Sequence, residues 1–223
     1  ENAIIFLKDN AQNKRIIQKF GIDLKKWNPP KPSFLKLGIA YRYPYPNINR
    51  ARLLHMLGCY ESAAKEAKIA LEIMPSCAEA LKYMADHYFY QKNYTGAFKY
   101  ARNCLIYTPG DTEMRSRLAM IYHQLKEDQK ALKVVDAIIK IQKKSPEGLY
   151  VKAWILKDSD PKQAKELLNR AIKLLDKEPR YHDLLGDIWA KEGNILKAKE
   201  EWKAALEYDS SNKLLMKKLN TVP

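Results

Sequence analysis

The chain has few of the residues that mark a membrane span, a disulfide framework or a metal centre. Among its 223 residues no run of about eighteen apolar residues occurs, so the sequence predicts no membrane-spanning helix. The three cysteines are too few for a disulfide-stabilised scaffold, and we interpret Cys104 as a core residue. The four histidines show no metal-ligand spacing. We therefore predict neither a metal site nor a cofactor.

Motifs for catalysis are missing as well. The sequence has no glycine-rich phosphate loop, no nucleophile motif and no paired carboxylates at a defined spacing. We therefore predict that this chain is not an enzyme.

What the sequence does contain is a repeated pattern of small residues. Alanines recur at intervals of 34, 34, 33 and 34 residues, at Ala63, Ala97, Ala131, Ala164 and Ala198. A period of this length is typical of stacked helical repeats, in which each unit packs mainly on its neighbours. Chance alanines in an ordinary helical bundle are the alternative, and four nearly equal intervals disfavour it.

The stretch from Ala78 to Asp111 shows what one repeat contains. Its first half places Leu81, Met84, Ala85 and Tyr88 at the spacing of one helix face. A short turn follows, and a second apolar helix face then runs from Ala97 to Pro109-Gly110, which cannot continue a helix. The pattern predicts two helices per repeat, which cross where the alanines lie.

The repeat resembles the tetratricopeptide repeat, and residues 179–212 match its pattern best. The matching positions are Leu185, Gly186, Trp189, Ala198, Trp202 and Ala205. The resemblance implies an all-α fold, a right-handed α-solenoid of stacked antiparallel helix pairs. The fourth repeat matches least well, because Lys152 occupies the usual small position of its first helix.

We predict three regions along the chain. Residues 1–43 are expected to form an amphipathic helix, a proline-rich linker and an orphan half-repeat. Residues 44–212 are expected to form five repeats, with ranges 44–77, 78–111, 112–144, 145–178 and 179–212. Residues 213–223 are expected to form a capping helix and a tail. The second helix of the third repeat is expected to be unusually long, with its end deferred to Ser145-Pro146. We predict that Asp111, Ser145 and Asp160 each cap the start of a helix, because a short polar side chain there can accept a hydrogen bond from a free backbone N–H.

The resemblance also implies a binding surface, because in this family the first helices of the repeats line a concave groove. The positions that correspond here are Arg52, His55, Lys82, Asp86, Phe89, Tyr90, Ser116, Met120, His123 and Gln124. Aromatic side chains mixed with both charges suit an extended peptide or a partner's helix. The alternative is that Phe89, Tyr90 and Met120 only pack between repeats.

Some family members hold a carboxylate terminus with lysine and asparagine side chains on these helices. Lys82 matches one position of that clamp, but Asp86 and Arg117 stand where asparagines are needed. We therefore do not predict recognition of a C-terminal carboxylate.

Positive charge exceeds negative charge and is unevenly distributed. The net charge is +14, of which residues 1–43 carry +6 and residues 112–144 carry +4. The second of these segments predicts a basic patch of Arg115, Arg117, Lys126, Lys130, Lys133, Lys140, Lys143 and Lys144. Such a patch attracts acidic protein, phosphate or a membrane surface. The alternative is an ordinary solvated helix surface.

These observations favour a non-enzymatic scaffold or adaptor that binds a partner protein, as a peptide or helix, in the concave groove. One alternative is a soluble appendage of a larger membrane or envelope protein, suggested by a chain that begins at Glu1. Another is an RNA-binding repeat protein, which is disfavoured because no base-reading residues recur between repeats. Self-association through the terminal helices is a further expectation. A cytoplasmic location is slightly favoured over an extracytoplasmic or membrane-tethered one.

Overall fold

The computed structural model describes residues 43–221 together with Lys14 and Gln18. Apart from those two residues, the predicted N-terminal helix and proline-rich linker lie outside the described residues. The predicted half-repeat, except for its last residue Tyr43, and the last two residues of the tail lie outside them as well.

Residues 43–221 form eleven helices and, within that range, no strand. In chain order they are α1 Tyr45–Met56, α2 Tyr60–Ile73, α3 Ala78–Tyr90, α4 Tyr94–Tyr107, α5 Thr112–Gln124, α6 Asp128–Ile141, α7 Pro146–Leu156, α8 Pro161–Leu174, α9 Pro179–Lys191, α10 Ile195–Tyr208 and α11 Lys213–Thr221.

The chain divides into two compact units, Glu1–His87 and Tyr88–Pro223, called here the N-terminal and the C-terminal unit. Within the N-terminal unit, α1 packs against α2. Within the C-terminal unit, α5 pairs with α6, α7 with α8 and α9 with α10, and each pair contacts the next. The predicted all-α fold of stacked helix pairs is therefore confirmed.

Polar side chains mark where several helices begin. The carboxylate of Asp111 accepts a hydrogen bond from the N–H of Met114, which satisfies a backbone donor at the start of α5. Ser145 and Asp160 do the same for α7 and α8, and in both helices a proline occupies the first position. The helix starts predicted at these three residues are confirmed.

The predicted extension of the second helix in the third repeat is wrong. Helix α6 has 14 residues and ends at Ile141, and α4, α8 and α10 have the same length. Gln142 leaves the helical conformation at φ −115° and ψ 81°, while its N–H still donates to the carbonyl of Ile138. Residues 142–145 therefore form a turn.

The recurring alanines lie in the first turn of the second helix of each pair and are fully buried, at Ala63, Ala97, Ala131, Ala164 and Ala198. Gly186 shows why these positions are small. A Cβ atom there would lie 2.6 Å from the indole of Trp202 and 3.2 Å from the carbonyl oxygen of Ala198. Cys104 is also fully buried, as expected of a core residue, and its sulfur lies 3.5 Å from the hydroxyl oxygen of Thr108.

The predicted C-terminal helix is present as α11. It packs against α10 and buries Leu215 beside Trp202 and Ala205. In the described part of the chain, no helix combines the length and the apolar character needed to cross a membrane.

Candidate partner-binding surfaces

In the N-terminal unit, one predicted groove residue joins α1 to α3 through an ion pair. The Arg52 Nε donates to Glu79 Oε1 at 2.8 Å, and its Nη2 donates to Glu79 Oε2 at 3.0 Å. The hydroxyl of Tyr83 donates to the same carboxylate at 2.7 Å. Burial, reinforced by this carboxylate, raises the pKa of Tyr83 far above its ordinary value, so the phenol stays protonated.

A second link between α1 and α3 pairs two more predicted groove residues. The Nε2 of His55 lies 2.8 Å from Oδ2 of Asp86. The imidazole also contacts the rings of Tyr60 and Tyr83 at centroid distances of 5.1 and 5.2 Å. Asp86 is buried, so it supports His55 and is not itself surface. Lys82 is half-buried on α3.

In the C-terminal unit, Arg117 and two aromatic residues form the cluster called here the aromatic platform. The guanidinium carbon of Arg117 on α5 lies 4.9 Å from the ring centroid of Phe89 and 5.6 Å from that of Tyr90. The two rings meet edge to face at 5.9 Å. Phe89 is half-buried, whereas Tyr90 is 47% exposed. The platform therefore presents apolar area and positive charge side by side.

Two predicted groove residues lie beneath this surface. Ser116 and Met120 are buried, with exposed fractions of 3% and 8%. Met120 supports the platform, because its sulfur lies 3.9 Å from Nη1 of Arg117. Met120 is therefore a packing residue, which was the alternative to a place in the groove.

The remaining predicted groove residues, His123 and Gln124, lie at the end of α5 and are half-buried. The Nδ1 of His123 lies 2.6 Å from Oδ1 of Asp128, and its ring contacts Trp154 edge to face at 5.0 Å. The ammonium of Lys157 lies 5.1 Å from the Trp154 centroid. This arrangement joins α5, α6 and α7.

The eight residues of the predicted basic patch divide between separate places. Arg115 and Arg117 lie on α5, and Arg117 belongs to the aromatic platform. Lys126 precedes α6, whereas Lys143 and Lys144 follow it, so they are separated by a helix about 20 Å long. Along α6 itself lie Lys130, which pairs with Glu127 at 2.6 Å, and the exposed Lys133 and Lys140.

Near the C-terminal end of the chain, α11 contacts the acidic side chains of α9. The ammonium of Lys218 lies 2.6 Å from carboxylate oxygens of both Asp183 and Asp187. Asp187 also accepts a hydrogen bond from the indole of Trp202 at 3.1 Å. The carboxylates of Asp183 and Asp187 are therefore already paired within the chain.

An open depression of about 710 Å³ lies along α4. The parallel rings of Tyr88 and Tyr100, 5.4 Å apart, form part of its wall, and Lys99 and Arg102 add positive charge.

Within the described residues, no group of three or more histidine, cysteine, aspartate or glutamate side chains could hold a metal ion.

The family model for the tetratricopeptide repeat matches residues 88–155. This part of the chain carries the tetratricopeptide repeat. The match covers α4 to α6 entirely, and it includes every residue of the aromatic platform. No curated protein sequence is similar enough to this chain to count as a match.

Solved structures of three other proteins share the fold, and the first of them is a tetratricopeptide-repeat protein. TTC0263 of Thermus thermophilus superposes with a TM-score of 0.73 at 18% identity, covering 80% of this chain and 97% of that one. The pilF protein of Pseudomonas aeruginosa gives 0.58 at 18% identity, covering 77% and 79%. MamA of Desulfovibrio magneticus RS-1 gives 0.53 at 19% identity, covering 76% and 97%. At these identities the likeness concerns the fold alone.

Sequence reasoning missed two contributions to these surfaces. It assigned Arg117 to a basic patch, although the structure places its guanidinium over Phe89 and Tyr90. It also missed Trp154, whose neighbour in the structure is His123. Both pairs lie about thirty residues apart in the chain, so the repeat period itself was the available signal.

Proposed function

We propose that this chain is a non-enzymatic scaffold that binds an acidic segment of a partner protein on the aromatic platform. The observation that supports the proposal is the placement of Arg117 over Phe89 and Tyr90 while the Tyr90 ring stays 47% exposed. Tyrosine and arginine dominate the binding energy of many protein interfaces, because each offers contact area together with a polar group. The tetratricopeptide fold is consistent with a scaffold role.

The charge around the platform favours an acidic partner. Helix α5, which carries Arg117, holds Arg115 and Arg117 against Glu113, a net charge of +1. A carboxylate that approached Arg117 would gain charge-assisted hydrogen bonds, and an adjacent apolar side chain would cover the Tyr90 ring. An amphipathic helix or an extended peptide provides both features.

The test begins with the full chain as an affinity bait in an extract of its source cells, followed by mass spectrometry of the retained proteins. The purified partner is then titrated calorimetrically against the wild type and the variant Tyr90→Ala/Arg117→Glu. We expect this variant to bind at least about tenfold more weakly, because it removes two candidate hot-spot contacts.

A matched control carries the same two changes on α4, as Tyr107→Ala/Arg102→Glu. Both of these residues are exposed, and we expect the control to bind like the wild type. The helical circular dichroism of both variants must match that of the wild type. Equal affinity of the platform variant and the wild type would reject the proposed site.

A further inference from the structure

A second surface of the C-terminal unit lies where α6 and α8 end. Six cations surround these two helix ends, and they are Lys140, Lys143, Lys144, Arg170, Lys173 and Lys177. All six are exposed, and none of them forms an ion pair with an acidic residue of the described chain. Segment 140–144 contains no acid, and segment 170–177 contains only Asp176. These six residues and the apolar tips between them are called the basic edge.

Large apolar side chains project between these cations. Ile141, the last residue of α6, is 68% exposed and is flanked in sequence by Lys140 and Lys143. Leu174 occupies the same position at the end of α8, and Leu174 and Leu175 are 42% and 44% exposed. Exposed aliphatic residues are common singly, but here they recur at equivalent helix ends.

The turns that follow the two helix ends lead to helix starts that contact each other. The turn after α6 leads into α7 and the turn after α8 leads into α9. Near the starts of α7 and α9, Arg180 donates to Glu147 at 3.0 Å, and the rings of Tyr150 and Tyr181 lie 5.2 Å apart. Because these two helix starts are in contact, we place the lysines and the apolar tips of the two turns on the same edge of the unit.

We propose that the basic edge docks on an anionic lipid surface. Exposed apolar tips surrounded by unpaired lysines match the interface of a bilayer, where short apolar groups enter the headgroup region and lysines reach the phosphates. Lysine stems can lie along the apolar tips while their ammonium groups stay in water. An acidic protein fits less well, because protein interfaces concentrate their energy in enclosed pockets, whereas these residues occupy helix ends and protruding turns.

The proposal is tested by sedimentation of the purified full chain with vesicles. One set contains phosphatidylcholine alone, and the other contains equal parts of phosphatidylcholine and phosphatidylserine. We expect binding to the anionic vesicles only, and we expect it to weaken as salt rises, because salt screens the lysine charges. Lys143→Glu/Lys144→Glu is expected to lower the partition coefficient at least about 25-fold, since each lysine near such a surface contributes roughly fivefold.

A matched control keeps the net charge of that variant but moves the change to the opposite helix ends. Lys126 precedes α6 and Lys162 lies in the first turn of α8, and both are exposed. We expect Lys126→Glu/Lys162→Glu to bind anionic vesicles within about threefold of the wild type, because these positions lie about a helix length from the basic edge. Ile141→Ser tests the apolar part and is expected to weaken binding severalfold without changing its dependence on salt.

Three results would overturn the proposal. One is equal sedimentation of the wild type with neutral and anionic vesicles. Another is an equal loss of binding in the two double variants, which would indicate a response to net charge alone. The third is a wild type that does not bind vesicles but does bind single-stranded RNA or polyglutamate, with that binding lost in Lys143→Glu/Lys144→Glu. That outcome would assign the edge to a different class of partner.

Discussion

Replacement of Gly186 by alanine tests the helix crossing on which each repeat depends. Gly186 lies within α9, where a glycine costs about 1 kcal/mol relative to alanine. On propensity alone the change should stabilise the chain. The structure predicts the opposite, because the new Cβ would lie 2.6 Å from both Cδ1 and Nε1 of Trp202.

The size of the effect follows from how far Trp202 can move. Ordinary contact begins at 3.4 Å, so the indole must shift by about 0.8 Å. Trp202 is buried, and its N–H donates to Asp187 at 3.1 Å, so a shift disturbs both packing and a hydrogen bond. Overpacking of this kind costs about 1–3 kcal/mol. Because packing and a hydrogen bond are both disturbed, we take the upper part of this range, about 2–3 kcal/mol. After subtraction of about 1 kcal/mol for helix propensity, we expect Gly186→Ala to lower the free energy of unfolding by about 1–2 kcal/mol.

Urea denaturation followed by circular dichroism measures this difference, and the loss corresponds to about 2–8 °C in Tm for a chain of this size. Gly110→Ala is the matched control, because a Cβ at that turn meets no atom within 4 Å. We expect it to be neutral or stabilising by up to about 1 kcal/mol. In a Trp202→Leu background the penalty at Gly186 should shrink by at least about 1 kcal/mol. A Gly186→Ala variant at least as stable as the wild type would contradict this prediction. So would an equal loss of unfolding free energy in the wild-type and Trp202→Leu backgrounds.

Two further predictions concern ionisable groups. A hydrogen bond to Glu201 at 2.8 Å is the main cause that raises the pKa of His182 above 6.5. The hydrogen bond between protonated His182 and Glu201 therefore stabilises the fold fully below the pKa of the unfolded state. This stabilisation is lost as the pH rises through the pKa of the folded state. The unfolding free energy of the wild type relative to His182→Gln should fall as the pH rises from below 6.5 to above it in urea titrations, and a difference that does not change with pH would contradict this. The buried carboxylate of Glu66 accepts hydrogen bonds from Asn47 at 2.8 Å and Arg50 at 3.0 Å. Glu66→Gln should lower the free energy of unfolding by about 1–3 kcal/mol, measured by thermal unfolding. The control Glu61→Gln removes the carboxylate of the exposed Glu61–Lys65 pair and should change the free energy of unfolding by less than about 0.5 kcal/mol. Equal losses in the two variants would contradict a stabilising role of the buried network.

Local rules in the sequence were sufficient for the helices and their pairing. The interval between alanines predicted the crossings, because only a small side chain fits where two helices approach closely. Asp111, Ser145 and Asp160 predicted helix starts, since a short polar side chain before a helix satisfies a free backbone N–H. The end of α6 was missed because no proline or glycine follows Ile141, and the backbone at Gln142 leaves the helix without either.

The candidate surfaces were harder to predict, because they depend on side chains that meet across repeats. Met120 and Tyr90 both belong to the predicted groove, yet one is buried and the other is exposed. Repeat position gives the helix face but not the depth, which depends on the neighbouring helix. The pairing of Arg52 with Glu79 depends likewise on side-chain reach between α1 and α3, which a pattern of residue types does not contain.

Photocrosslinking at Tyr90 tests the central proposal, that a partner protein covers the aromatic platform, most directly. The photoreactive residue p-benzoylphenylalanine replaces Tyr90 in one variant and the comparably exposed Tyr107 in the other. Both variants are irradiated in the presence of the purified partner. We predict a covalent adduct from position 90 and none from position 107. An adduct only from position 107, or none from position 90 while the complex still forms, would contradict the account.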